Sequence, residues 1–322
     1  MSAPMLKKCV VLATGGTIAG WADDPSQAAY QAASQPVNAV LGDLSPGTMV
    51  WETEQVAQVD SSAMTPALWL RLQARLRHWL AQPDVAGVIV THGTDTLEET
   101  AFFLHHTLPT QGKPVVLTGA MRAANHPQAD GPDNLRAARD WVAQAPASGV
   151  WVVMAGQAHH PHGVQKVQTH PANAAFSSGP AGPFAQWQSD SGNWGLASGP
   201  AGAPPPQHLR DTPWPAADAW PWVALVWSYA GADGREVDAL MAGANPPRAW
   251  VVAATGAGTL APLLQDALQR AHQRGALVWR TSRCVWGQGE DWVEPSWAPI
   301  CPLPPVKARI ALQLMLMASE RG

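Results

Sequence analysis

Charge is scarce in this sequence. Asp, Glu, Lys and Arg together make up 14% of its 322 residues, against about a quarter in ordinary soluble chains. Hydrophobic residues stand at 46%. That combination excludes extensive disorder, which needs low hydrophobicity and high charge. The net charge is only −4, so the chain lacks the basic excess of a nucleic-acid binder or a membrane-docking surface. Cysteine is scarce too. Cys9, Cys284 and Cys301 stand far apart, and an odd, dispersed set gives neither a disulfide framework nor a CxxC metal spacing. No apolar run approaches the roughly 18 residues of a transmembrane helix. After Lys7 and Lys8, the apolar run Cys9–Ala13 ends at Thr14, too soon for the apolar core of a signal peptide. The expectation is a cytoplasmic protein that binds neither nucleic acid nor membrane. Tyrosine is nearly absent, with 2 residues against 17 tryptophans. The tryptophans read as core and interface filler.

What the sequence has in quantity is turn formers, 30 prolines and 28 glycines, set between apolar runs. The length gives a prior of two domains at about 150 residues each. Strands are expected at Cys9–Ala13, Val85–Thr91, Pro114–Gly119 and Val150–Ala155. Between them Leu68, Trp69, Leu72, Leu76, Trp79 and Leu80 repeat at helical spacing, and further helices are expected over Leu97–Leu108 and Pro132–Val142. Alternating strand and helix argue for an α/β fold: a larger N-terminal domain, residues 1–197, with a mainly parallel sheet flanked by helices. Periodicity is lost from about Gly179 to Pro215, and residues 198–217 read as a Pro/Gly-rich linker. Alternation then resumes, with strands at Trp222–Trp227, Ala249–Ala254 and Ala276–Arg280. Helices are expected at Arg235–Ala242, Leu260–Gln273 and Pro305–Ala318. Residues 218–322 thus form a smaller C-terminal α/β domain.

The chemistry concentrates where strands end, because ligands on such sheets bind beyond the strands' carboxyl ends. CVVLATGGTIAG runs a strand into two glycines flanked by Thr14 and Thr17. Glycines there permit a sharp turn and expose peptide N–H groups. The turn serves equally well as a tight βα connection with a capping hydroxyl. There is no GxGxxG and no Lys-Ser/Thr pair for a phosphate. VIVTHGTDTLEET ends a strand in Thr91, His92, Gly93, Thr94 and Asp95. Asp95 or Thr96 with Glu98 or Glu99 resembles a capping box; the functional alternative is that Thr94 and Asp95 share a crevice with Thr17. In the loop from Thr118 to Pro132 a mainly structural role is expected, with Asp130 suited to a helix cap; Arg122, His126 and Asp130 are the candidates for a crevice rim. A threonine hydroxyl is a weak nucleophile unless a base takes its proton. Candidate activators are Tyr30, Lys166 and a carboxylate. Lys166 reads either as a surface cation or as a lysine desolvated toward base function.

TGGTIAG and THGTDTLEETA together resemble the two signature motifs of the bacterial-type L-asparaginase family. The resemblance extends to KPVVLTGAMR, ADGPDNL and the final helix VKARIALQLML, and so covers nearly the whole chain. It implies a larger and a smaller α/β domain joined by a linker, active sites shared between neighbouring subunits, and a homotetramer built as a dimer of dimers. It implies that Thr17 is the nucleophile and that Tyr30 lies on the lid loop. Thr94, Asp95 and Lys166 complete the catalytic set. Substrate contacts are implied for Gly16, Ser61, Ser62, Thr94 and Asp95. Ser62 stands where the family often has Gln or Glu. From the neighbour's smaller domain the resemblance implies Thr259, in Thr255-Gly-Ala-Gly-Thr259, and Glu290, with Glu294 as the alternative. No cofactor or metal is expected; the loop His159-His160-Pro161-His162 comes nearest to a ligand spacing.

The implied reaction is hydrolysis of the side-chain amide of L-asparagine to L-aspartate and ammonia through a threonine acyl-enzyme. Glutamine or another amide is the alternative substrate. A non-catalytic protein binding asparagine or aspartate is the alternative of another class.

Overall fold

A computed structural model describes residues 6–24, 30–42, 44–170, 172–200, 206–290 and 292–319. The chain divides into two compact units, Met1–Asp211 and Thr212–Gly322. Among the described residues no helix is long and apolar enough to cross a membrane.

The first unit contains β1 (Lys8–Gly15), α1 (Val37–Leu41), β2 (Val50–Val59), α2 (Pro66–Leu80), β3 (Val85–Thr91), α3 (Leu97–Thr107), β4 (Pro114–Thr118) and α4 (Gly131–Gln144). It continues through β5 (Gly149–Met154), β6 (Gln157–His159), β7 (Gln165–Lys166), β8 (Phe176–Ser177), β9 (Ala185–Gln188), β10 (Asn193–Leu196) and α5 (Gln207–Asp211). Eight strands form one sheet in the order β10-β9-β6-β5-β4-β3-β1-β2. From β2 to β5 neighbouring strands run parallel. The pairs β5–β6, β6–β9 and β9–β10 run antiparallel. The central strands are apolar on both faces, as a parallel sheet covered on both sides requires. Cys9, Val11, Ala13, Ile89, Val116 and Trp151 join one core cluster with Leu135, Ala138 and Trp141 of α4. The intervening Val10, Leu12, Val88, Val90 and Leu117 are equally buried. Successive side chains of a strand alternate between faces, so these lie on the opposite one.

Two sequence expectations change here. β2 was not expected from its sequence, VWETEQVAQV; it is an edge strand, and its mostly half-buried residues need little hydrophobicity. The aperiodic stretch after Gly179 contains the β9–β10 hairpin, and the expected linker contains α5, which packs on α3. Residues 201–205 of that linker lie outside the described residues.

Helix caps also redistribute. Thr65 caps α2, its hydroxyl accepting from Leu68 N at 3.3 Å. Asp130 does not cap α4: its carboxylate accepts from Met121 N and Arg122 N, at 2.9 Å each at closest, and so folds the loop after β4. The expected capping box at α3 is also absent. Thr96 Oγ1 donates to Ser61 O at 2.7 Å, and Glu98 Oε2 accepts from Lys166 N at 2.6 Å.

Behind the β3 terminus, Trp69 Nε1 donates to Thr100 Oγ1 at 2.9 Å, and Thr100 Oγ1 lies 3.0 Å from His92 Nε2. His92 is 0% exposed. Burial outweighs its bond to Gly93 O and pushes the imidazole down to about 4. Burial lowers His106 as well.

The second unit has β11 (Val223–Trp227), α6 (Arg235–Met241), β12 (Ala249–Ala254), α7 (Pro262–Gln273), β13 (Leu277–Ser282) and α8 (Pro305–Ser319). Its sheet has the order β11-β12-β13, all parallel. Trp250, Val252 and Ala254 pack with Val237 of α6 and Leu264 and Leu268 of α7. Ala249 and Val251 pack with Leu312 and Leu316 of α8.

Two predictions follow from this packing. Trp141 is fully buried and meets the Trp194 ring edge-on at 4.9 Å. Trp141→Ala should cost about 3–5 kcal/mol in urea unfolding. The second concerns acid. An unfolded histidine titrates near 6.5, while folded His92 titrates at about 4, so between these values the unfolded chain binds the extra proton. Stability therefore rises with pH across this window and is lost as pH falls through it. The urea midpoint should drop from pH 6.5 to 4.5, and His92→Asn should flatten that slope without abolishing it, because His106 contributes in the same sense.

Candidate active site

The loops following β1 and β3 meet at the carboxyl edge of the larger sheet. Gly16 adopts φ 80, and a Cβ built there would lie 2.2 Å from Gly93 Cα. Only glycine allows that approach. Gly16 N donates to Val59 O at 3.0 Å, so this amide is not available as an oxyanion donor. Thr14 also serves the scaffold: its buried hydroxyl donates to Thr91 O at 2.9 Å.

Thr17 and Thr94 open into one cavity of about 350 Å³, together with Tyr30, Ser61, Asp95 and Lys166. That volume is at the small end of ligand pockets, about 300–1,000 Å³. Thr17 is 7% exposed, and its Oγ1 lies 2.7 Å from the Tyr30 hydroxyl. Thr94, 5% exposed, accepts from Lys166 Nζ at 2.8 Å. The same ammonium donates to Asp95 Oδ1 at 2.6 Å. The Lys166 backbone is tied to α3 through Glu98, and β7 pairs Lys166 with Phe176 of β8. Ser61 Oγ accepts from Asp95 N at 3.2 Å, joining the loop after β2 to the loop after β3. Two hydroxyls thus face one space, one beside a phenol and one beside an ammonium–carboxylate pair.

The cavity has further walls. Of the three residues expected at the rim, Arg122 and His126 line it, while Asp130 is turned to the backbone of Met121 and Arg122 instead. Asp60, Thr169 and His170 line it too, and sequence reasoning missed them. Asp60 carried one usable signal, its position directly before Ser61. Bonds from the Ser62 hydroxyl and backbone N–H, aided by the nearby Lys166 charge, outweigh burial and hold the Asp60 carboxyl below the usual range. Thr169 and His170 carried no pattern that marks them.

Two predicted contacts in this unit fall outside the cavity lining. Gly16 contributes through close packing against Gly93. Ser62 turns its hydroxyl to Asp60 Oδ1 at 2.7 Å and thereby orients a lining carboxylate.

Thr259 and Glu290 lie in the second unit. Thr259 closes a turn by pairing with Thr255, whose hydroxyl donates to Thr259 O at 2.8 Å. Glu290 N donates to Ala257 O at 2.8 Å, so both expected residues flank one turn. Arg280 is 1% exposed and secures this region through Gly258 O, Val293 O, Glu294 O and Ala298 O.

Among the described residues no group of three or more His, Cys, Asp or Glu side chains is arranged to hold a metal ion. In the His159–His162 loop, His159 Nδ1 bonds Ser178 Oγ at 2.8 Å, while His160 and His162 pack against His105.

Comparison with known proteins places this geometry. Residues 8–197 match the family model for the asparaginase N-terminal domain, and residues 222–321 match that for the glutaminase/asparaginase C-terminal domain. The chain is 33% identical over 331 residues to L-asparaginase 2 of Escherichia coli, covering 98% of this chain and 90% of that protein. It is 33% identical over 339 residues to the glutaminase-asparaginase of Acinetobacter glutaminasificans, covering 95% of this chain and 94% of that protein. The crystal structure of a probable cytoplasmic L-asparaginase from Campylobacter jejuni superposes with a TM-score of 0.85 at 32% identity, over 96% of this chain and 95% of that one. Both domains and nearly the full length agree, and the chain belongs to the asparaginase family.

Proposed function

We propose that the chain hydrolyses the side-chain amide of L-asparagine to L-aspartate and ammonia, with L-glutamine as a further substrate. The observation that carries this reading is the opposed pair of activated hydroxyls. Thr17 meets the Tyr30 phenol at 2.7 Å, and Thr94 meets Lys166, itself paired with Asp95, in the same cavity. A binding protein has no need of a hydroxyl so placed. The relatives' names supply the substrate class, asparagine and glutamine.

In this mechanism Thr17 Oγ1 attacks the amide carbon, and its proton passes to the hydrogen-bonded Tyr30 oxygen as the phenol's own proton moves on to the amide nitrogen. The C=O electrons move onto oxygen, where the Thr94 N–H stabilises them; such preorganised donors are often the largest catalytic contribution. The C–N bond then breaks and nitrogen leaves as ammonia, having gained a proton. Water beside Thr94 and Lys166 attacks the resulting ester, releasing aspartate and restoring the Thr17 hydroxyl. Asp95 pairs with the substrate ammonium, and Ser61 binds its carboxylate. Asp60 adds a second carboxylate near the ammonium.

The assembly we propose is a homotetramer, a dimer of dimers, located in the cytoplasm, the compartment named for the Campylobacter jejuni protein. Residues 1–197 carry the nucleophile loops, and residues 218–322 supply Thr259 and Glu290 to a neighbour's site, with Glu294 as the alternative acid. Residues 198–217 connect them.

Ammonia release from asparagine and from glutamine, measured from micromolar to tens of millimolar, tests the reaction; a folded protein that released none from either would overturn it. Thr17→Ala should lower kcat roughly 10³-fold or more, as for a member of a catalytic unit. Lys166→Met should lower kcat about 10²–10⁴-fold, the range for a positioned proton-transfer group. Retention of near wild-type turnover by the Thr17 variant would remove it as nucleophile.

A further inference from the structure

His92 does not line the cavity, and the proposed chemistry uses only the residues after it. Its hydrogen bonds nevertheless give it one orientation and one tautomer. An indole N–H only donates, so Thr100 Oγ1 accepts from Trp69 Nε1 at 2.9 Å. The hydroxyl's own proton then remains for the atom 3.0 Å away, His92 Nε2. A carbonyl only accepts, so the 2.7 Å contact between His92 Nδ1 and Gly93 O places the imidazole proton on Nδ1. A neutral ring carries one such proton, which makes Nε2 the acceptor. All donors in the series point the same way, from Trp69 through Thr100 and His92 to Gly93 O.

The series ends on the peptide joining Gly93 to Thr94. In a trans planar peptide the C=O and N–H point in opposite directions. A Gly93 carbonyl drawn toward the buried imidazole therefore turns the Thr94 N–H the other way. Gly93 and Thr94 both line the cavity. The preceding residue is pinned independently, since His92 N donates to Thr118 O at 2.9 Å. The following one is pinned as well, since Asp95 N donates to Ser61 Oγ. Glycine at position 93 leaves the intervening peptide conformationally permissive, and a flipped peptide would present its carbonyl to developing negative charge.

The geometry points to His92, held by Thr100 and Trp69, as a positioning residue that presets the Thr94 amide as oxyanion donor. The inference rests on the acyl-transfer reading above. It assigns the buried series a task beyond satisfying polar groups in the core.

The test uses the full chain, with steady-state kinetics on asparagine and ¹⁵N spectra of the histidine rings. His92→Leu removes the donor to Gly93 O. His92→Asn retains an N–H near the position of Nδ1. Thr100→Val keeps the volume and removes the link. Losing an oxyanion donor outright costs about 10²–10³-fold in kcat, so its misalignment in His92→Leu should cost about 10–100-fold, with KM within about threefold. His92→Asn should recover most of the loss, and Thr100→Val should show a smaller loss of the same kind. The spectrum should show the proton on Nδ1 of His92. Wild-type kcat in His92→Leu, or no recovery in His92→Asn at equal folded fraction, would overturn the inference. If His92→Leu fails to fold, wild-type kcat in Thr100→Val overturns it, as does a proton found on Nε2. A wild-type enzyme inactive on both amides would instead overturn the acyl-transfer reading, so the two failures are distinct.

Discussion

The arrangement at the sheet's carboxyl edge depends on one close contact between backbones. A Cβ on Gly16 would come within 2.2 Å of Gly93, and one on Gly93 within 2.7 Å of Ser61 Cβ. The turns after β1 and β3 are thus stacked without side chains between them, and the Ser61 side chain, on the turn after β2, packs directly on Gly93. This contact lets Thr17, Ser61 and Thr94, far apart in sequence, share one small cavity. A side chain at either glycine must push the turns apart, and the hydroxyls would separate with them.

Around that contact the polar groups divide by burial. Inside, neutral groups satisfy one another: Thr14 with Thr91 O, Thr118 with Val153 O, and Trp69 with Thr100 and His92. Burying a charge there would be costly without a partner. Charges collect instead at the cavity, where Asp60, Asp95, Lys166 and Arg122 lie. In a chain with so few charged residues, this mixture of both signs suits a zwitterionic amino acid, the substrate class proposed. The Lys166–Asp95 pair is half open to solvent on the Asp95 side, so it contributes little to stability and is better understood as a positioned cation beside Thr94.

The smaller unit shows the same economy on another scaffold. Arg280 is buried, and its guanidinium donates to four carbonyls. Those carbonyls belong to the turn before Thr259 and to the segment from Val293 to Ala298. Thr259 and the alternative Glu294 are therefore carried on segments braced by one side chain, and Glu290 is tied to the same turn through Ala257 O.

The central strands, the main helices and the chemistry-bearing motifs are legible in the amino-acid pattern alone. Runs such as VAGVIV and CVVLA are apolar and β-branched because both faces are covered, and the glycines and threonines that follow are out of place in a mere connection. Thr17, Tyr30, Thr94, Asp95 and Lys166 were legible for that reason, aided by the family resemblance, and tertiary structure brings them to one cavity. Which competing partner each polar group takes is settled by the folded chain. Asp95, Thr96 and Glu98 could have capped α3, yet each is drawn to another chain segment. Asp130 could have capped α4, yet it folds the preceding loop. Ser62 could have faced the cavity, yet it holds Asp60. Edge strand β2 and the β9–β10 hairpin were hidden for a related reason, since strands at a sheet's margin need only one covered face and leave no apolar run. Local pattern registers burial on a regular element; it does not register bonds between residues tens of positions apart, and those bonds set the geometry of the site.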